Sequence, residues 1–165
     1  MLLDAIRKIW DKIDSICLSI ANIALFAAML VVTADAGGRY LFSSPIIGDY
    51  DFTTFYLAPV IIYFILSYSY VTNAHIRIEF VFERLPKRLQ RACRIVTEAI
   101  ILILSMIFFV EGIERAWKSW VLKDVYQGAI TWPLYWAYAL VPIGFLFLAI
   151  RVAQQLVALI GAKGE

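Results

Sequence analysis

Few side chains in this chain of 165 residues have the means to do chemistry, and each stands apart from the others. Glu98 is the one acid inside a long apolar stretch, where a carboxylate could bind a proton or cation and couple it to movement. Its place, one turn from an end of that stretch, argues against the use. His75 is the only histidine. Alone it supplies neither paired haem ligation nor a multi-histidine metal site, so it reads as a structural hydrogen-bonding group at an interface. The two cysteines occupy unlike places. Cys17, in an apolar run, is a small packing residue, and Cys93, between Arg91 and Arg94, is an interfacial thiol with no disulfide or metal spacing around it. No catalytic residue, metal site or cofactor is expected.

What must position these groups is a set of four apolar stretches, at about residues 16–34, 52–72, 95–110 and 134–150, which give expected spans of about 16–34, 52–72, 95–112 and 134–151. Each approaches the roughly 17–25 residues that carry a helix across a bilayer. The chain is 62% hydrophobic and 17% charged, with a mean hydropathy of +0.79. That composition excludes a disordered chain and disfavours a soluble globular one. The formal charge of +2 is too small to suggest nucleic acid. The expected fold is an all-α integral membrane protein, one domain over residues 1–165, with four transmembrane helices and two interfacial amphipathic helices.

The first interfacial helix, residues 2–14, follows from Leu2, Ile6, Ile9 and Ile13 at helical spacing. It leads into a span too long for a signal core, so Ala34-Asp35-Ala36 is read as part of the chain and not as a cleavage site. The second, residues 86–94, opens on Pro86 at a first helical position. Lys87, Arg88, Arg91 and Arg94 surround its apolar side. Each basic residue near anionic lipid contributes about 1 kcal/mol, which makes this segment a candidate lipid contact on the inner leaflet.

Basic residues also set the orientation. Arg7, Lys8, Lys12, Arg77, Arg84, Lys87, Arg88, Arg91, Arg94, Arg151 and Lys163 fall on one side, and Arg39, Arg115, Lys118 and Lys123 on the other. Excess Lys and Arg mark the cytoplasmic face, so both termini are expected inside. The tryptophans agree, with Trp10 inside and Trp117, Trp120, Trp132 and Trp136 at the outer headgroup level.

Along the chain, Gly37-Gly38-Arg39-Tyr40 is expected to end the first helix, and Pro45 and Gly48 to form a turn. Asp51 then suits the N-cap of the second helix; it and Asp49 read first as capping and solubilising acids, and on a sharper reading as contacts to Arg39 or to a partner protein. Pro59 predicts a kink or a locally satisfied break. Tyr56, Tyr63 and Tyr70 share one face as a packing seam. The third span extends outward on Glu111–Arg115 and Glu114–Lys118 pairs, with Trp117 and Trp120 as further lipid contacts. Residues 125–131 read as a loop and Pro133 as the start of the last helix, which Pro142 and Gly144 interrupt. Ala21, Ala24, Ala27 and Ala28 offer a small-residue face for partner helices.

In order along nearly the whole chain, these features resemble the small membrane subunit of tripartite ATP-independent periplasmic (TRAP) transporters. Arg39-Tyr40 before a Pro45-Ile46 turn is similar to the arginine-tyrosine end of that family's first helix. Asp49 and Asp51 stand where the family usually has glutamates. His75-Ile76-Arg77-Ile78-Glu79 matches the family's His-Ile-x-hydrophobic-acid segment, with glutamate where aspartate is common. Pro133 and Pro142-Ile143-Gly144, next to Trp132, match the proline-led last helix.

The resemblance implies an accessory scaffold in a bacterial inner membrane. Its partners would be a large elevator-type permease subunit and a periplasmic substrate-binding protein, together importing organic acids in symport with sodium, as such systems do. Two other classes stay open at this point. A small dimeric four-helix exporter would need Glu98 as its coupling group, and a membrane anchor of a redox complex would need a haem or quinone site.

Overall fold

The computed structural model describes residues 2–72, 86–128 and 130–161. The segment His75-Ile76-Arg77-Ile78-Glu79 therefore lies outside the described residues. Among the described residues, four helices are long and apolar enough to span a membrane. They are α1 (Leu2–Phe42), α2 (Asp49–Val71), α3 (Lys87–Leu122) and α4 (Tyr135–Gly161). A two-stranded antiparallel hairpin, β1 (Val125–Gln127) with β2 (Thr131–Pro133), joins α3 to α4.

The amphipathic ends expected at residues 2–14 and 86–94 continue into α1 and α3 without a break. At 1.5 Å per residue, the 41 residues of α1 reach about 60 Å, twice a hydrocarbon core of roughly 30 Å. Both long helices must tilt or project beyond the membrane. Gly37 and Gly38 do not end α1, which runs one turn further to Phe42. Gly38 is instead a place of close approach, since a Cβ there would lie 2.8 Å from the Ser44 carbonyl oxygen. The turn that follows takes Ser43 at φ 52° and Gly48 at φ 84°. Gly48 stands at the N-cap position of α2, which corrects the placement of Asp51 there. Asp51 lies inside the first turn, where a carboxylate still favours the helix dipole.

Pro59 acts through the helix that precedes it. Residues Thr53–Leu57 wind as a π-helix, and α-helical geometry resumes at Ala58. Pro59 has no N–H to donate to the preceding turn, and a π turn is one way a membrane helix absorbs that loss.

The principal packing runs α1 on α2, α2 on α4, and α4 on α3. The sequence of contacts is a row, with α4 between α2 and α3. A row has a thin interior. Its apolar centre is Tyr70, Leu148 and Val152, flanked by Leu66, Ile101, Leu102 and Phe145. On α1 the buried apolar residues among those described are Cys17, Ala21, Ala24 and Ala28, small side chains on one stripe. These alanines serve packing within the chain, which corrects their assignment to partner helices; Ala27 is half-buried. The other faces are apolar and bare, with Ile23, Phe26, Met29, Ile103 and Ile107 all about half exposed or more. Water would not tolerate that surface, and lipid does.

Candidate functional site

At the end of the row where both α1 begins and α4 finishes, charge is buried. Arg151 of α4 and Asp14 of α1 keep only 4% and 3% of their side chains accessible. Arg151 Nε donates to Asp14 Oδ2 at 2.7 Å, and Nη2 donates to Asp11 Oδ1 at 2.7 Å. Ser67 Oγ of α2 donates to the other Asp14 oxygen at 2.8 Å. Three helices thus meet on one carboxylate. A buried charge pair is tolerated only when its remaining polar atoms are also satisfied, and Ser67 and Asp11 supply those partners. Beside it the Tyr70 hydroxyl of α2 donates to Glu98 of α3, both groups buried.

The two links share a property. Each joins helices one place apart in the row, α1 to α4 and α2 to α3, across the helix that packs between them. They brace at one end what apolar contact alone leaves open. Arg91 adds a third tie, its Nη2 donating to the Leu159 carbonyl oxygen at 2.6 Å. Sequence reading missed the Asp14–Arg151 pair and took Glu98 for an interfacial carboxylate.

Midway along the row, the two residues of Pro142-Ile143-Gly144 that stood out face different neighbours. A Cβ on Gly112 of α3 would sit 3.0 Å from Pro142 Cδ, and one on Gly144 would sit 2.6 Å from the Tyr63 carbonyl oxygen of α2. Gly144 has no side chain because α2 passes there. The tyrosine seam is as expected: Tyr63 meets Gly144 and Phe145, and Tyr70 meets Glu98.

At the opposite end, Asp35 is the organising residue. It is buried in the last part of α1, accepts from the Ile46 backbone N–H at 2.7 Å and pairs with Arg39 at 2.5 Å. Arg39 is therefore held by Asp35 and not by Asp49 or Asp51. Asp49 accepts from the Thr53 hydroxyl at 3.5 Å. Asp51 is buried against the hairpin, where a Cβ on Gly128 would collide with its Oδ2. Tyr40 is almost wholly exposed.

The hairpin itself replaces the loop expected over residues 125–131. Val125 and Tyr126 of β1 face Pro133 and Trp132 of β2. β-Branched and aromatic residues on either side of Gly128 were the available signal. Pro133 closes β2, so α4 starts at Tyr135 and not at Pro133. The Pro133 carbonyl oxygen accepts from the Tyr56 hydroxyl at 2.8 Å, and Trp132 packs on Phe52 and Tyr56. Trp117, Trp120 and Trp136 remain exposed near the same end, with Trp120 edge-on to Tyr135.

Lys87, Arg88 and Arg94 are exposed at the start of α3. Among the described residues there is no cluster of three or more histidine, cysteine or acidic groups able to hold a metal ion. Cys17 is buried and Cys93 exposed, both as free thiols. Arg151, Asp14 and Ser67 bind one another, as do Tyr70 and Glu98, and the exposed charged groups border apolar faces. That arrangement suits holding and docking.

A protein-family model described as tripartite ATP-independent periplasmic transporters, DctQ component, matches residues 28–161. A search of curated proteins returns no match.

Proposed function

Because the chain belongs to the DctQ component family of tripartite ATP-independent periplasmic transporters, we propose that it is the static, lipid-anchored scaffold subunit of such a transporter. The observation that carries the reading is the state of the membrane acids. Asp14 and Glu98 are buried and bound to Arg151 and to the Tyr70 hydroxyl, where a group that loads and releases an ion would need access. Transport chemistry then belongs to another subunit. A row of helices braced at one end presents wide apolar faces, and these suit both lipid and a larger membrane partner.

In this reading the partners are a large elevator-type permease and a periplasmic substrate-binding protein, and the cargo is an organic acid moved with sodium. The subunit lies in a bacterial inner membrane with both termini cytoplasmic. The clustering of Lys87, Arg88, Arg91 and Arg94 at the same end as Lys8, Lys12 and Arg151 supports that orientation. The exposed ones among them, Lys8, Lys12, Lys87, Arg88 and Arg94, face anionic headgroups. Asp49, Trp132 and the hairpin, with Asp51 buried beneath them, form the surface nearest the binding protein. His75, Arg77 and Glu79 belong to the cytoplasmic connection, Tyr40 to the outer rim. The buried Glu98 leaves the exporter reading without an accessible coupling group.

Co-expression with a tagged large permease subunit tests the proposal. The chain is expected to co-purify at a fixed ratio after detergent extraction. Complete separation of the two in mild detergent would refute it.

A further inference from the structure

A recess of about 280 Å³ opens between α3 and α4, lined by Phe108, Glu111, Gly112, Arg115, Tyr138 and Val141. Its floor forms because Gly112 carries no side chain opposite Pro142 and Val141. The Arg115 guanidinium lies over the Tyr138 ring, 5.3 Å from its centre. Sequence spacing predicts a Glu111–Arg115 ion pair, yet the two do not pair; one turn on, Glu114 and Lys118 do. Among the described residues neither Glu111 nor Arg115 has an ion-pair partner.

Around the recess the surface is apolar. Ile107, Phe108, Val110 and Ile113 are about half exposed, and Trp117, Trp120 and Trp136 stand exposed toward the same helix ends. Indoles mark the headgroup level, so Glu111 and Arg115 sit at the edge of the hydrocarbon. A carboxylate without a counter-ion and a guanidinium held only by an aromatic face are costly there. A ligand that neutralises both must carry an anion and a cation a few ångströms apart, above an apolar tail.

We propose that this recess binds one phospholipid with a zwitterionic headgroup bearing a primary amine, its phosphate on Arg115, its ammonium on Glu111 and an acyl chain along Phe108, Gly112 and Val141. Charge complementarity selects the headgroup. An anionic lipid leaves Glu111 opposed to a like charge, and a quaternary amine cannot donate hydrogen bonds to the carboxylate. The proposal needs only that these residues face the membrane and does not depend on the transporter assignment. It is distinct from the anionic lipid contacts at the start of α3.

The test is native mass spectrometry of the purified full-length chain with equimolar dioleoyl phosphatidylethanolamine, phosphatidylcholine and phosphatidylglycerol. The chain is expected to retain one phosphatidylethanolamine roughly tenfold over the other two. Arg115→Gln should lower retention of all three lipids about tenfold, whereas Arg115→Lys stays within about twofold of the parent. Glu111→Gln should abolish the preference for phosphatidylethanolamine over phosphatidylcholine while leaving phosphatidylcholine retention unchanged. Lys118→Gln should change nothing. Equal retention of the three lipids by the parent chain would overturn the proposal. So would an unaltered preference in Glu111→Gln, or variants that keep the lipid pattern but lose a co-expressed permease.

Discussion

Arg151 of α4 grips Asp14 of α1 with two nitrogens on one carboxylate oxygen, Nε at 2.7 Å and Nη2 at 2.6 Å from Oδ2. The residues are 137 apart in sequence, and their helices are separated in the row by α2. Closing that distance fixes the relation of the first span to the last.

Arg151→Ala is expected to destabilise the chain by about 3–5 kcal/mol, since it strands a buried carboxylate. Removing both partners, as Asp14→Leu with Arg151→Leu, should recover a large part of that loss. Thermal unfolding in lipid nanodiscs reads both variants. A double variant as unstable as the sum of the singles would show that the pair does not act as a unit.

Glycines of α1 and α4 should respond differently to one added methyl group. Gly144→Ala forces a Cβ against the Tyr63 backbone and should cost about 1–3 kcal/mol. Gly37 has nothing within 4 Å of a Cβ, so Gly37→Ala should be neutral or stabilise by about 0.5–1 kcal/mol through helix propensity. The same unfolding assay decides, and equal effects at the two positions would contradict the close approach of α2 and α4.

Glu98→Gln keeps an acceptor for the Tyr70 hydroxyl. Uptake by the assembled transporter is expected to stay within about twofold, because a neutral amide preserves the hydrogen bond within the usual 0.5–1.5 kcal/mol. Loss of sodium- or proton-dependent uptake in this variant would return Glu98 to the role of a coupling group.

Cys93 reports topology without engineering. It is exposed beside Arg91 and Arg94, while Cys17 is buried. A membrane-impermeant maleimide should label Cys93 in inside-out vesicles and not in intact cells, leaving Cys17 unlabelled in both. Labelling from outside would reverse the orientation.

The class of fold was legible because four spans are a matter of local composition. The tyrosine seam was legible too, since Tyr56, Tyr63 and Tyr70 recur on one helical face. Helix ends were harder. Gly38 reads as a stop, yet its lack of a Cβ serves the Ser44 carbonyl while α1 continues. Arg151 and Asp14 each look like ordinary interfacial charges, and nothing local announces that they pair across the row. The hairpin was hidden by its three-residue strands, too short for alternation to show.

The central claim is that this chain scaffolds transport and does not perform it. Uptake of a panel of radiolabelled organic acids into proteoliposomes, with an inward sodium gradient, tests it most directly. This chain alone should give no uptake above empty liposomes, and adding its large permease subunit and loaded binding protein should give uptake of the cognate acid. Gradient-dependent uptake by this chain alone would contradict the account.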